Sequence, residues 1–329
     1  MNPYFCNWSF IYAQYLDGTS RSGDVLGPVS VNGSSIFFRG HRILNETLRA
    51  LLSRGGPGAG LPSLATAPRL LITGSSAGGL TSFLHADEIA SAVLAVNARC
   101  DVRVIPEVGF FVNGRSIWAE RHVMTEVFAS VATFSNVTSG APGQVNAACV
   151  AATPVSLRWQ CFMAQYTLPH MTTPSFVVNS MVDEWQTSNI LAPNPTYVRA
   201  VSTYAPFIPC IKAPTVVASA SCNATQAAQW TGYGQQFLQA LAEARQAVPA
   251  PVAARSGGVI TSCPIHTTLI GGLSHKIEVG GATLYEHITR WMEGRSGWTI
   301  DTDYPGNPTC PKPQEIEFDE YAALNKPTI

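Results

Sequence analysis

The chain has 329 residues, of which 46% are hydrophobic and 12% charged, and its formal net charge is −1. This composition is typical of a folded protein with a sizeable core and excludes a disordered chain. A net charge near zero argues against nucleic acid or an anionic membrane surface as the main partner. No apolar stretch of the sequence is long enough to span a bilayer.

Predicted strands alternate with predicted helices along the chain, which favours a mostly parallel sheet flanked by helices. This α/β domain is expected to cover residues 1–300, with a polar, proline-rich tail at 301–329. In chain order, the pattern predicts a strand at 10–16, a hairpin at 30–38, a helix from 40, strands at 70–73 and 102–105, a helix at 116–131, a loop at 135–154, strands at 176–178 and 258–261, and helices around 237–248 and 284–292.

A G-x-S-x-G sequence, Gly74-Ser75-Ser76-Ala77-Gly78, lies between the strand at 70–73 and a helical pattern. In α/β hydrolases this sequence forms a sharp strand-to-helix turn that exposes a nucleophilic serine at a helix N-terminus. The residues beside the serine must be small for the turn to close. Ser76 is therefore the predicted nucleophile. The alternative is a glycine-rich turn of structural use, because a chain with 27 glycines also produces such sequences by chance.

A serine nucleophile needs a histidine base, which follows it late in the chain in this fold. Of the seven histidines, His266 directly follows a predicted strand and is anchored by Cys263 and Pro264. These features favour His266 as the base. His275, in a later loop, is the alternative.

The same chain order requires an acid between the nucleophile and the base. Asp183 follows the predicted strand at 176–178 and meets that requirement. Asp87 lies in the helix after the nucleophile, and Glu107 comes before the expected strand, so both are weaker candidates. The alternative for Asp183 is a loop aspartate that only caps a turn.

The cysteine and asparagine patterns favour a secreted protein. The eight cysteines include no C-x-x-C pair, which favours disulfides in an oxidising compartment. The chain opens Met1-Asn2-Pro3-Tyr4 without a signal peptide, so it is either intracellular or a mature or truncated chain. No metal or cofactor is predicted. Glycosylation acceptors of the N-x-S/T type outside predicted helices are Asn7, Asn32, Asn136 and Asn223.

Several unusual strings run through most of the chain: NPY at 2–4, YLDGTSRSGD at 15–24, FRG at 38–40, GSSAGG at 74–79, GFF at 109–111, CF at 161–162, DEWQ at 183–186 with NILAP at 189–193, and SCPIH at 262–266. They resemble, in order, the sequence blocks of the pectin acetylesterase and Notum family of carboxylesterases. The resemblance implies an α/β-hydrolase-like fold and an extracellular or cell-wall location. It also implies Ser76 as nucleophile, Asp183 as acid and His266 as base.

The resemblance further implies the bridges Cys149–Cys161 and Cys210–Cys222, which leaves Cys6–Cys100 and Cys263–Cys310 as the remaining pairs. It marks Trp185 and Gln186 as candidate substrate-binding residues. The implied substrates are acetyl esters of pectin or a related polysaccharide, with a fatty-acylated protein, as for Notum, as the alternative. A monomeric enzyme without cofactor is expected, and a non-catalytic carbohydrate- or lipid-binding relative is the rival from another class.

The chain also departs from the family pattern. The family's glycine-rich oxyanion loop lies upstream of the NPY string, so we expect this chain to lack that loop and the N-terminal strand or strands that carry it. Ala77 N–H is then the identifiable oxyanion donor, and Met1 is interpreted as an internal methionine of a longer protein. Glu107-Val108 replaces the family's D-S/A pair before Gly109.

Overall fold

The computed structural model describes residues 3–54, 63–117, 122–137, 144–192, 223–269, 272–302 and 307–311. The elements alternate as predicted. In chain order they are β1 (Val29–Val31), β2 (Ser34–Ile36), α1 (Gly40–Arg54), β3 (Arg69–Ser75), α2 (Ala77–Val96), β4 (Asp101–Glu107), α3 (Val123–Phe134), α4 (Ala147–Ala152), α5 (Ala164–Thr167), β5 (Phe176–Ser180), α6 (Glu184–Gln186), α7 (Ala224–Gln246), α8 (Ala250–Ala253), β6 (Gly257–Thr261), β7 (Glu278–Val279), β8 (Ala282–Thr283), α9 (Leu284–Met292) and β9 (Trp298–Ile300).

A five-stranded parallel sheet organises the described part of the chain. Its spatial order is β3-β4-β5-β6-β9, and every pairing in it is parallel. The carboxyl ends of β3, β5 and β6 therefore lie at one edge, and the loops that follow them can meet there. The predicted mostly parallel sheet flanked by helices is confirmed.

Two apolar clusters cover the two faces of the sheet. Val177 and Ile260 pack with helix residues such as Phe83 of α2 and Phe237 of α7. The alternate strand residues face the other way, where Val178 packs with side chains of α9. Successive residues of a buried strand point to opposite faces, so short all-apolar strands such as β5 are covered on both sides.

Some predicted elements are wrong in type or extent. Residues 10–16 form no strand, and Phe10, Tyr12 and Leu16 are largely exposed, because in the described ranges no strand pairs with this segment. The helix predicted at 116–131 begins at Val123. The predicted loop at 135–154 contains α4, and α7 begins well before residue 237.

The early start of α7 has a local cause. The Asn223 side chain accepts a hydrogen bond from Gln226 N, and the Gln226 side chain accepts one from Asn223 N, each at 2.9 Å. This reciprocal pair is a capping box, which satisfies two donors that a helix end otherwise leaves without partners. The helix is predicted from the spacing of apolar residues, and that spacing gives no information on a polar cap, so the predicted start is too late.

Two disulfides tie down loops, and one predicted pair is wrong. Cys149–Cys161 and Cys263–Cys310 are both bonded. Cys6 and Cys100 are not bonded to each other, and both are free thiols within the described ranges. The reason is that Cys6 is exposed beside Phe5, which packs against the α9 side of the sheet, whereas Cys100 is buried in a separate cluster with residues of α1 and α2. Cys210 and Cys222 lie outside the described residues.

The segment after β9 is attached to the sheet by more than its cysteine. Asp301 Oδ2 accepts hydrogen bonds from Ser262 N at 3.0 Å and Ser262 Oγ at 2.7 Å. It also accepts one from Asn307 Nδ2 at 2.6 Å. These bonds and the Cys263–Cys310 bridge fix the beginning of the loop that follows β6.

The four predicted glycosylation acceptors lie at the surface. Asn7, Asn32, Asn136 and Asn223 are all exposed, and their glycosylation stays a prediction.

Within the part of the chain that the structure describes, no helix combines the length and apolar character that a membrane crossing requires.

We expect the double substitution Cys263→Ser with Cys310→Ser to lower the free energy of unfolding by about 2–4 kcal/mol, because the bridge constrains the unfolded chain. Chemical denaturation measures this loss. Cys6→Ser is the matched control and is expected to leave stability unchanged. A comparable loss in Cys6→Ser would contradict the free state of that thiol.

Candidate active site

A strained turn carries Ser76 between β3 and α2. Its backbone has φ 58° and ψ −119°, a conformation that costs a non-glycine residue about 1–3 kcal/mol. Ser76 N donates to the carbonyl oxygen of Glu107 at 3.0 Å, and Leu80 N donates to Ser76 O at 2.9 Å. These two bonds hold the turn from both sides.

Glycines flank the turn because backbones pass too close for a side chain. A Cβ atom on Gly74 would lie 2.4 Å from the carbonyl oxygen of Gly78. One on Gly79 would lie 2.1 Å from the carbonyl oxygen of Glu107. The geometry of this strand-to-helix turn therefore requires glycine at 74 and 79, which weighs against a chance occurrence of the motif.

The Ser76 hydroxyl meets the His266 imidazole, which in turn meets the Asp183 carboxylate. Ser76 Oγ lies 2.7 Å from His266 Nε2. His266 Nδ1 lies 2.8 Å from Asp183 Oδ2 and 3.0 Å from Asp183 Oδ1. The three side chains follow β3, β5 and β6, so the parallel sheet brings together residues 83 to 190 positions apart in sequence. The structure therefore gathers the three predicted residues at one site.

Asp183 also caps a helix. Its Oδ1 accepts a hydrogen bond from Gln186 N at 2.8 Å at the start of α6. The carboxyl group is completely buried. The turn-capping role that was the alternative for Asp183 is therefore present together with the contact to His266, and the cap fixes the direction of the carboxylate.

Acidic neighbours change the pKa of His266. Burial disfavours the imidazolium. It is outweighed by the hydrogen bond that His266 donates to Asp183 and by the negative charge of Asp183, together with smaller contributions from the charges of Glu107 and Glu184. The net effect raises the pKa of His266 above its ordinary value of 6.5. The imidazole is therefore a stronger base than a free histidine.

The rival candidates occupy other positions. His275 lies in a short 3-10 turn, where its ring packs against Tyr285 with centroids 4.3 Å apart. Asp87 accepts hydrogen bonds from Thr172 N and Thr173 N before β5. Neither candidate contributes to the contacts around Ser76 described above.

Ala77 is the first residue of α2. The N–H groups of a helix's first turn have no intrahelical acceptors, and the helix dipole favours negative charge beside them. Ala77 directly follows Ser76, so its N–H is positioned to serve as the predicted oxyanion donor. This role stays a prediction.

The two candidate substrate-binding residues differ in accessibility. Trp185 is 37% exposed, and its ring lies 6.1 Å from the His266 ring and 5.1 Å from that of Phe111, measured between centroids. The side chain of Gln186 is completely buried. Its amide bonds to Phe110 O at 3.2 Å and Val112 N at 3.1 Å.

Gln186 therefore holds the segment after β4 in place, whereas Trp185 is the residue of the pair that offers a surface to a ligand. Tyr233 OH also donates to Gln186 Oε1 at 3.2 Å, which completes the internal bonding of the amide.

Sequence reasoning missed a second serine–histidine–carboxylate arrangement. Ser22 Oγ lies 3.0 Å from His85 Nε2, and His85 Nδ1 lies 3.2 Å from Glu88 Oε2. His41 Nε2 meets the other oxygen of Glu88 at 2.9 Å. Ser22 and His85 are fully buried, so this group fixes residues 17–24 to α2 and is closed to substrate. His85 and Glu88 are one helical turn apart, but Ser22 and His41 come from separate stretches of the chain, and the four residues share no motif that could have revealed the group.

Across the described ranges, no cluster of three or more His, Cys, Asp or Glu side chains is arranged to hold a metal ion.

Comparison with known proteins gives a consistent result. The family profile described as Pectinacetylesterase matches residues 1–311. The chain is 28% identical over 318 residues to pectin acetylesterase 7 of Arabidopsis thaliana, covering 94% of this chain and 71% of that protein. It is also 28% identical over 186 residues to the human palmitoleoyl-protein carboxylesterase NOTUM, covering 56% of this chain and 35% of that protein.

We expect NMR titration to give His266 a pKa above its ordinary value of 6.5, and we expect Asp183→Asn to lower that pKa. The substitution leaves an oxygen for the α6 cap but removes the charge that opposes burial. The signal is assigned with His266→Gln. Asp87→Asn, at the other end of β5, is the control and is expected to leave the titration unchanged; an unshifted pKa in Asp183→Asn would contradict the electrostatic account.

Proposed function

The chain belongs to the pectinacetylesterase family and is a carboxylic ester hydrolase, and we propose that it removes acetyl groups from pectin or a related polysaccharide through an acyl-enzyme on Ser76. The observation that carries the proposal is the continuous contact from Ser76 Oγ through His266 to Asp183. A serine hydroxyl is a weak nucleophile unless a base of this kind accepts its proton.

In the first half of the reaction, Ser76 Oγ attacks the acetyl carbonyl carbon while His266 Nε2 takes the hydroxyl proton. The Ala77 N–H donates to the carbonyl oxygen as it becomes an oxyanion. The tetrahedral intermediate then breaks its bond to the sugar oxygen, which leaves with the proton from His266. The acetyl group remains esterified to Ser76.

In the second half, a water molecule takes the place of the sugar. His266 accepts its proton, the hydroxide attacks the acetyl carbon, and the bond to Ser76 Oγ breaks as that oxygen recovers the proton. Acetate leaves. Asp183 holds the imidazole in the tautomer with a proton on Nδ1 and stabilises the imidazolium in both halves.

A fatty-acylated protein is the second candidate substrate. It is supported by the similarity to palmitoleoyl-protein carboxylesterases of human and Xenopus laevis, which covers 56% of this chain. The similarity to pectin acetylesterases extends over 94% of the chain and favours the polysaccharide. Comparing p-nitrophenyl esters of acetate and palmitate tests the two: a preference for palmitate would overturn the polysaccharide assignment.

We also propose an extracellular or cell-wall location. Two disulfides and four exposed N-x-S/T acceptors support an oxidising, glycosylating compartment. The surroundings of Ser76 argue against the non-catalytic binding protein. Unlike the buried Ser22–His85–Glu88 group, the Ser76–His266–Asp183 contact lies at a helix N-terminus and next to the partly exposed Trp185.

Ser76→Ala is expected to reduce hydrolysis of p-nitrophenyl acetate by a factor of about 10⁴ or more, because it removes the nucleophile. Ser22→Ala is the matched control, since Ser22 also contacts a histidine but is buried. It is expected to leave kcat unchanged. Equal activity of Ser76→Ala and the unmodified chain would sink the acyl-enzyme on Ser76.

Trp185→Ala is expected to raise KM for acetylated pectin about tenfold by removing an aromatic surface beside His266, with little effect on p-nitrophenyl acetate. Trp185→Tyr keeps an aromatic face and is expected to retain most of the affinity. A change confined to p-nitrophenyl acetate would refute a polysaccharide contact at Trp185.

A further inference from the structure

Glu107 contacts both the turn that carries Ser76 and the loop that carries His266. It ends β4, where it pairs with Ser75 of β3 on one side and Val178 of β5 on the other. Its backbone carbonyl accepts the hydrogen bond from Ser76 N, so it fixes the strained turn. Its side chain points to the loop that carries His266, and it is 2% exposed.

The Glu107 carboxylate binds the backbone just after His266. Its Oε1 accepts hydrogen bonds from Thr268 N at 2.5 Å and Leu269 N at 2.7 Å, and from Thr268 Oγ1 at 3.1 Å. Burying a carboxylate is costly unless such donors compensate it. The buried Glu107 carboxylate therefore accepts hydrogen bonds from two successive amides of the loop that carries His266, and these bonds fix that loop.

The backbone around Glu107 is itself constrained. Val108 has φ 40°, which is a genuine outlier for a β-branched residue. A Cβ atom on Gly109 would lie 2.2 Å from the carbonyl carbon of Gly79 in α2. The end of β4 therefore lies directly against the start of α2, and Glu107 has little freedom to move independently of Ser76.

We propose that Glu107 is a positioning residue that sets the distance between Ser76 Oγ and His266 Nε2, its carbonyl holding the nucleophile turn and its carboxylate holding the histidine loop. This inference rests on the proposed esterase function. The proposed role of Glu107 involves neither a contact with the substrate nor a hydrogen bond between Glu107 and the imidazole.

The charge of Glu107 adds a second, measurable effect. His266 is faced by Asp183, Glu107 and Glu184, and all three raise its pKa. Glu107→Gln keeps an oxygen acceptor of similar reach but removes one of these charges. The acid limb of the pH profile of kcat/KM is therefore expected to shift to lower pH in this variant, which a role in folding alone would not produce.

The test compares Glu107→Ala, Glu107→Gln and Glu107→Asp in p-nitrophenyl acetate hydrolysis. Glu107→Ala is expected to lower kcat by about 100-fold with KM unchanged, because a misplacement of about 1 Å costs that much. Glu107→Gln is expected to recover most of this loss. Glu107→Asp, one methylene too short to reach both amides, is expected to recover less than the glutamine.

Asp87 supplies a matched control. Its carboxylate also accepts hydrogen bonds from two successive amides, Thr172 N and Thr173 N, and from the Thr173 hydroxyl. This cluster lies before β5, at the end of the sheet away from Ser76. Asp87→Ala is expected to lower stability without lowering kcat. An equal loss of kcat in Asp87→Ala, or less than a twofold loss in Glu107→Ala, would overturn the proposal.

Two milder variants, Thr268→Val and Glu107→Gln, test the proposal if Glu107→Ala does not fold. Thr268→Val removes only the hydroxyl donor and is expected to lower kcat slightly at constant KM. If both this variant and Glu107→Gln keep the unmodified kcat and pH profile, the proposal is refuted.

A readout that does not depend on ester hydrolysis distinguishes a failure of the proposed function from a failure of the positioning role. If the unmodified chain does not hydrolyse esters, the low-field NMR resonance of the proton between His266 and Asp183 replaces kcat as the readout. The positioning role predicts that this resonance broadens in Glu107→Ala, which loses the bonds to Thr268 N and Leu269 N, and stays sharp in Asp87→Ala. A sharp resonance in both variants would overturn the positioning role.

Discussion

The close approach of two backbones, where the end of β4 meets the turn into α2, determines the rest of the site. Ser76 is held at a positive φ by its N–H bond to the Glu107 carbonyl. Gly79 and Gly109 leave no room for side chains between the two segments. The strain in the turn is tolerated because its neighbours on both sides are fixed, and the serine is thereby presented at the start of a helix, where charge can be stabilised.

The parallel sheet brings the other two side chains of the candidate site to this turn. β3, β5 and β6 are parallel, so the residues that follow them emerge at the same edge. The loops after β5 and β6 are then fixed by their own bonds: Asp183 caps α6, and the loop after β6 is held by Asp301, by Cys263–Cys310 and by Glu107. The distance between serine and imidazole is the outcome of several independent attachments, none of which involves the reacting atoms.

The sequence was most informative where a geometry admits few residue types. A strand followed by small residues and a helix predicts the Ser76 turn because larger residues would collide there. The chain order of this fold then points to Asp183 and His266. Apolar runs at 102–105, 176–178 and 258–261 predict buried parallel strands, and all three are strands of the sheet.

The sequence was least informative where a contact joins distant polar groups. The 10–16 segment is apolar and aromatic like a strand, but in the described structure no strand pairs with it, and the sequence of the segment alone cannot supply a partner. The capping box of α7 and the free Cys6 and Cys100 depend on local bonding and on which cluster each residue joins. Glu107 stands at a strand end as an ordinary acidic residue until the fold brings Thr268 and Leu269 to it.

Two serine–histidine–carboxylate groups lie among the described residues, and their surroundings differ. Both have hydroxyl-to-imidazole distances of 3.0 Å or less. Ser22 lies in a buried network whose histidine also bonds to the Ser20 carbonyl, so its hydroxyl has neither access to an ester nor a site for developing negative charge. Ser76 stands at the first turn of a 20-residue helix, beside a partly exposed tryptophan. The Ser76 site is the candidate for ester hydrolysis because its hydrogen-bonded side chains are also partly accessible and lie at a helix N-terminus, where negative charge is favoured.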